Sequence, residues 1–269
     1  MKRLLIALLL ASVLLCNISC LFFAPKFLPQ TTTSTSTPGS LVSTSAEEAY
    51  QNYIPGQPID PRWSRPPVPT SIPRTLSLAD VVAKVKPSVV ELENLGSGWI
   101  IDKRGIIVTC AHVVEGEDLI RIKLQNGKAI SVDTKRIYQA SEFDLAVIKI
   151  DATNLVAANL GNSTQLREGD AVVVIGNALG QGITSKEGNV SKFNPDIPNL
   201  EGFPLELIEL STPSMPGMSG APVVNMGGQV IGIYIGGYII VSNMSDAISI
   251  NSALPIIEQL VKNGHILQQ

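Results

Sequence analysis

The sequence predicts an all-β body framed by two helices. Three observations carry this. Short apolar runs recur between residues 98 and 250, each bounded by glycine, asparagine, aspartate or proline. No helical pattern alternates with them, as a parallel α/β sheet would require. Apolar residues at helical spacing occur only at the two ends of the body.

The opening helix is read from Leu78-Ala79-Asp80-Val81-Val82 and Val85, and Pro87 stops it. Gly98 to Ile101 and Ile106 to Thr109 flank Asp-Lys-Arg-Gly, which reads as a hairpin turn. Leu119 to Leu124 alternates apolar and basic residues and runs into Asn126-Gly127. Further strands are expected at Leu145 to Ile150, Ala171 to Ile175, Leu205 to Leu210, Gln229 to Ile235, Tyr238 to Val241 and Ala247 to Ile250. Leu254, Ile257, Leu260 and Val261 form the closing helix. There is no internal repeat.

Composition agrees with one folded body on a tether. Of 269 residues, 45% are hydrophobic and 16% charged, too apolar for a disordered chain. Residues 1–24 read as a targeting segment, with Lys2 and Arg3 before an apolar run from Leu4 to Leu15. Ile18-Ser19-Cys20 resembles the end of a bacterial lipobox, which would lipidate Cys20, although Asn17 stands where that pattern has Leu, Val or Ile. Leu4 to Ala24 is alternatively long enough for an uncleaved anchor. An ordinary cleaved signal is the third option, and all three export the body. Residues 25–75 are a Ser/Thr/Pro-rich linker, with Thr31 to Ser36 all hydroxylic and eight prolines between Pro38 and Pro73. Trp63 and Tyr53 are candidates to pack on the domain surface. Residues 76–265 are the folded domain.

Several function classes drop out. Without Lys2 and Arg3 the chain has 18 basic against 23 acidic residues and no basic cluster, a poor match for nucleic acid. Cys110 is the one cysteine outside residues 1–24, so the body holds no internal disulfide. A structural zinc site cannot be assembled from Cys110, His112 and His265, and no metal or cofactor is expected. Asn177 to Gly182 is glycine-rich but lacks the Lys-Ser/Thr of a phosphate loop, and reads as a loop near the substrate cleft.

Three segments carry chemistry. Thr109-Cys110-Ala111-His112-Val113-Val114 puts a histidine just past an apolar strand. Glu142-Phe143-Asp144-Leu145 puts an acid at the start of another. Pro216-Gly217-Met218-Ser219-Gly220-Ala221-Pro222 puts a serine in a tight turn. Taken singly, such residues are usually a buried histidine, a turn former and a turn. Together they supply what acyl transfer needs. Serine requires a neutral imidazole to accept its proton, and the imidazole requires a carboxylate to hold its tautomer. The developing oxyanion requires fixed donors, and Gly217 lets the backbone turn its N–H and that of Ser219 toward one spot. Cys110 reads as a small buried apolar residue. His265 reads as an exposed tail residue.

From about residue 78 to 263 the body resembles the protease domain of the HtrA/Deg family of chymotrypsin-like serine peptidases. Gly96-Ser97-Gly98 through Ile101, Ile107-Val108-Thr109 and Ala111-His112-Val113-Val114 are similar to its histidine segment. Asp144-Leu145-Ala146-Val147 matches its aspartate segment, and Pro216-Gly217-Met218-Ser219-Gly220 with Pro222 to Asn225 and Val230 to Ile233 its serine segment. Leu160 to Ser163 and Ile175-Gly176-Asn177 match two further stretches. The resemblance implies two packed six-stranded antiparallel barrels with the site between them. It implies His112 as general base, Asp144 as its orienting acid, Ser219 as nucleophile, and Gly217 and Ser219 as oxyanion-hole donors. Met218 stands where the family has Asn, which would bear on the leaving-group side, and Ala221 where Gly is usual. The chain ends soon after the closing helix, so the family's PDZ domain is not expected. Pro213 to Pro216, where this fold builds its substrate pocket, holds no acid, which argues against cutting after Lys or Arg.

The expected activity is that of an exported, membrane-tethered serine endopeptidase acting on unfolded or flexible polypeptides, as a monomer or a trimer. The alternative from another class is a pseudo-protease that binds peptides. An α/β-hydrolase esterase is excluded, since that fold wants Gly-x-Ser-x-Gly and the order serine, acid, histidine.

Overall fold

The alternation of strands and tight turns folds into two antiparallel sheets. The structure, a computed structural model, describes residues 63–263 apart from 64, 72–73, 134–135, 195–204 and 238–242. All of these lie in one compact unit, Thr44–Gln269. The targeting segment, most of the linker, the Tyr238 to Val241 strand and His265 fall outside the described residues. Among the described residues no helix is long and apolar enough to cross a membrane.

Helix α1 (Leu78–Val85) is started by Ser77, whose hydroxyl accepts the Asp80 N–H at 3.2 Å. It buries Val81 and Val85, and Pro87 in the following turn ends it. Lys84 Nζ donates to Gly227 O at 2.6 Å, tying this helix to the second half of the body. Trp63 is buried within the main core, so ordered packing begins well before residue 76.

The first half is a seven-stranded sheet of β1 (Val89–Leu92), β2 (Gly96–Asp102), β3 (Ile106–Thr109), β4 (Leu119–Lys123), β5 (Ala129–Asp133), β6 (Ile137–Ala140) and β7 (Leu145–Lys149). Its order is β5-β4-β1-β2-β3-β7-β6. The hairpin at Asp-Lys-Arg-Gly is as expected and joins β2 to β3. β3 is buried at every position and lies mid-sheet, whereas β4 alternates exposed and buried residues near one edge. Helix α2 (Ala111–Val114) is a single turn after β3.

The second half is a closed barrel of β8 (Ala171–Gly176), β9 (Thr184–Phe193), β10 (Leu207–Leu210), β11 (Pro222–Asn225), β12 (Val230–Gly236) and β13 (Ser245–Ser249), in the order β10-β13-β12-β11-β8-β9. The chymotrypsin-like class is thus found, with a difference of detail: the first half pairs as an open sheet of seven strands. Successive residues of β8 serve different cores. Val172 and Val174 fill the barrel with Val223, Ile231, Tyr234 and Ala247. Val173 and Ile175 join Val224, Ile233 and Ile248 in the core shared with the first sheet. Helix α3 (Ile250–Asn263) closes the body and buries Ala253, Leu254, Ile257 and Leu260.

Candidate active site

β3 delivers Cys110 and α2 to the boundary between the two sheets. His112 is the second residue of α2, and its side chain is about half exposed. The turn Ser141–Phe143 precedes Asp144, which has φ +48° and ψ +39°. Aspartate tolerates this left-handed geometry better than most residues. The bend starts β7 while the carboxylate faces α2. His112 Nδ1 lies 2.9 and 2.8 Å from the two Asp144 oxygens, and the His112 backbone N–H donates to Asp144 Oδ1 at 3.0 Å. Both ends of one residue therefore grip one carboxylate. With Nδ1 carrying the proton, Nε2 is left as the acceptor. Burial pulls the imidazole pKa down, but the hydrogen bond and charge of Asp144, with a contribution from Glu115, lift it above its ordinary value.

The serine turn is shaped by Gly217 and Gly220, at φ +86° and +82°. At Gly217 a Cβ would lie 2.3 Å from Asn177 O; at Gly220 it would lie 2.2 Å from Ser97 O and Thr109 Oγ1. Neither position admits a side chain. Pro216 O accepts from Leu179 N at 2.8 Å and Met218 O from Ala221 N at 2.9 Å. In a trans peptide the N–H points opposite the carbonyl, so the Gly217 and Ser219 N–H groups face away from those donors. Among the described residues neither meets an acceptor.

Ser97 locks this turn to the first sheet. Its N–H donates to Ser219 O at 2.9 Å, its hydroxyl donates to Gly217 O at 2.7 Å, and that hydroxyl accepts from Asn177 N at 2.8 Å. Thr109 Oγ1 donates to Ser97 O at 2.7 Å. A second junction is Tyr234 O, which accepts from Gly220 N at 2.7 Å and from Cys110 Sγ at 3.4 Å. The histidine and serine segments thus meet at one carbonyl. Ser219 Oγ donates to Ile235 O at 3.4 Å, and among the described residues it has no hydrogen bond to His112.

The glycine-rich Asn177 to Gly182 stretch lies against the serine turn, as expected of a cleft loop. Its Leu179 is at φ +58° and more than half exposed, a conformation that costs a non-glycine residue about 1–2 kcal/mol. On the other side, Ser214 Oγ donates to Gly237 O at 3.3 Å and accepts from Gly237 N at 3.1 Å. Tyr234 is buried, with its hydroxyl donating to Pro213 O at 3.3 Å. Burial pushes its phenol pKa up. Met218 does not reach the leaving-group side: its side chain is buried in the barrel interior with Ala178, Ala221 and Tyr234.

Two buried titratable groups remain, Asp246 and Cys110. Asp246, beside Gly236 in the β12–β13 pairing, is 4% exposed, and its Oδ1 has no hydrogen-bond partner among the described residues. Burial and the like charge of Glu209 raise its carboxyl pKa to about 7. Cys110 is fully buried, and burial followed by the Asp144 charge holds its thiol well above the ordinary range. Its Sγ, a His112 ring nitrogen and an Asp144 oxygen lie within 4.8 Å of one another.

Residues 96–233 match the trypsin-like peptidase domain family. Among curated relatives, a probable periplasmic serine endoprotease DegP-like from Halomonas elongata is 36% identical over 182 residues, covering 65% of this chain and 37% of that protein. The serine protease Do-like HtrB of Bacillus subtilis is 31% identical over 226 residues, covering 71% of this chain and 48% of the relative. The chain therefore spans less than half the length of either. Among solved structures, the HtrA-type protease AlgW with a tripeptide aligns at TM-score 0.64 and 30% identity, covering 71% of this chain and 65% of that one. The serine endoprotease from Yersinia pestis aligns at TM-score 0.61 and 28% identity, covering 74% and 70%.

Proposed function

Since the chain belongs to the trypsin-like peptidase domain family, we propose that it is an HtrA-type serine endopeptidase that cuts unfolded or flexible polypeptides. The observation that carries this is the grip of His112 on Asp144, beside a serine turn whose Gly217 and Ser219 N–H groups meet no acceptor among the described residues.

In this mechanism Ser219 Oγ leaves Ile235 O and turns to His112 Nε2 when substrate binds. Apo catalytic hydrogen bonds are often absent or long and form only in the loaded site. His112 takes the hydroxyl proton while Oγ attacks the scissile carbonyl, and Asp144 stabilises the imidazolium. The Gly217 and Ser219 N–H groups hold the oxyanion. A donor of this kind is worth about 3–4 kcal/mol. His112 then protonates the leaving amine, and water releases the acyl group from Ser219 by the same steps in reverse roles. The periplasmic naming of the relatives and the apolar segment behind Lys2 and Arg3 support an extracytoplasmic enzyme held to the membrane by residues 1–24.

Fluorophosphonate labelling of the full chain tests the assignment, because this reagent traps an activated serine whatever the substrate. Wild type labels, while Ser219→Ala and His112→Ala do not. Labelling that persists in Ser219→Ala overturns the nucleophile. A folded wild type that fails to label points to the pseudo-protease, for which the Ser219–Ile235 bond is the one favouring observation.

A further inference from the structure

We propose that Cys110, His112 and Asp144 form a binding site for a thiophilic divalent cation, such as Zn²⁺ or Cd²⁺, whose occupancy switches the active site off. The switching half rests on the triad assigned above; the binding half rests on the donor geometry alone.

The three donor atoms are a thiol sulfur, an imidazole nitrogen and a carboxylate oxygen, all within 4.8 Å of one another. That separation lets one ion reach each donor at ordinary zinc–ligand lengths, about 2.0–2.3 Å, after small side-chain shifts. The set mixes a soft ligand with a borderline one, which selects zinc-like ions over magnesium or calcium. The supports are rigid. Cys110 is fully buried at the end of β3, and Asp144 is fixed by the turn before β7. His112 is half exposed and Asp144 partly so, which gives an ion an entry path. Three protein ligands leave a fourth position for water.

Binding has a definite chemical consequence. The ion takes the Cys110 sulfur as thiolate, releasing the thiol proton to solvent. It takes His112 through Nδ1, and the proton on Nδ1 moves to Nε2. No electron is transferred. A proton on Nε2 removes the only lone pair that can accept the Ser219 proton. The Asp144 oxygen exchanges its imidazole hydrogen bond for a metal bond. The base is thereby lost without any blockage of the cleft. Nothing in the spacing of residues 110, 112 and 144 indicates this set; the fold brings it together.

Cd²⁺ titration of the full chain carrying Cys16→Ser and Cys20→Ser, a background that leaves Cys110 as the one thiol and serves as wild type here, tests the site through the ultraviolet thiolate-to-cadmium charge-transfer band, a readout independent of catalysis. Wild type and Ser219→Ala should both show the band, saturating at one ion per chain. In Cys110→Ala the band should be absent, and competition with a zinc indicator should show binding weakened by about 100-fold or more, at or beyond what loss of an outer-shell partner costs. Cys110→Ser, closer in shape, should behave alike and guards against a folding defect in the alanine variant. Zn²⁺ should suppress fluorophosphonate labelling of wild type at least about tenfold more effectively than labelling of either variant, each compared with its own metal-free rate. No charge-transfer band in the folded wild type overturns the proposal, as does a band unchanged in Cys110→Ala. A band with metal-insensitive labelling overturns the switch. If the wild type never labels, the triad assignment fails while the band still reports on the metal site.

Discussion

Replacing Ser97 by alanine should uncouple the serine turn from the first sheet. The side chain is buried and its hydroxyl makes two bonds, donating to Gly217 O at 2.7 Å and accepting from Asn177 N at 2.8 Å. The variant leaves the Ser97 backbone bond to Ser219 O in place, so the serine itself stays held. Asn177 is 2% exposed, and its orphaned N–H should cost about 1–3 kcal/mol. Gly217 is half-buried, and water can replace its lost donor at little cost. A net loss of about 2 kcal/mol follows, or about 4–8 °C in Tm for a body of this size. The freed Gly217 carbonyl lies one peptide beyond the Pro216–Gly217 unit, so the Gly217 N–H should be held less firmly toward the proposed oxyanion position. Complete loss of such a donor lowers kcat by about 10²–10³; partial loss of alignment should lower it at least about tenfold, with KM little changed. Urea unfolding and steady-state kinetics on a peptide ester check both. A stability change below about 0.5 kcal/mol together with an unchanged kcat would refute the coupling.

The other predictions concern charge and packing. With His112 as the proposed base, activity requires its neutral form; Asp144 lifts its pKa above the ordinary value, so the acid limb of the kcat/KM profile should have its midpoint above about 6.5. Asp144→Asn should move that limb to lower pH and reduce kcat by about 10⁴; an unmoved limb would mean another group controls it. Asp246 keeps its proton up to about pH 7 in the folded chain, while the unfolded chain loses it near 4. Between those values the folded state binds more protons, so this group makes stability fall as pH rises, and the loss levels off above 7. Asp246→Asn should therefore stabilise the protein increasingly from pH 4 to 7, with a ceiling of about 4 kcal/mol; a pH-independent difference in thermal unfolding would contradict this. Gly220→Ala, with φ +82° and a Cβ 2.2 Å from Ser97 O, should lose more than about 3 kcal/mol. Trp63→Ala should lose about 3 kcal/mol as a cavity opens in the main core, a result that thermal melting would show.

The sequence by itself determined the class of fold and marked the candidate site residues. Turn glycines and period-two runs are local signals, and they located the β2–β3 hairpin, α1 and most of the long strands. Others escaped. β5 is mostly exposed, its Ile130 and Val132 separated by Ser131, and β11 opens on Pro222 beside the serine turn, so neither shows a clean apolar run. β9 spans ten residues of largely charged or polar character, held by its pairing with β8 and β10. Strand β13 was legible, but its end was not, since Ile250 begins α3. His112, Asp144 and Ser219 could be picked out as candidates because motif and order survive as short strings. What only the tertiary structure decided depends on contacts between distant parts of the chain. Ser97 reaches Gly217 across 120 residues, and Cys110 reaches Tyr234 across 124. Whether a buried hydroxyl anchors a loop, or a thiol shares a site with an imidazole, is set by how two sheets pack. That packing follows from the summed burial of many side chains and leaves no mark on the few residues it brings together.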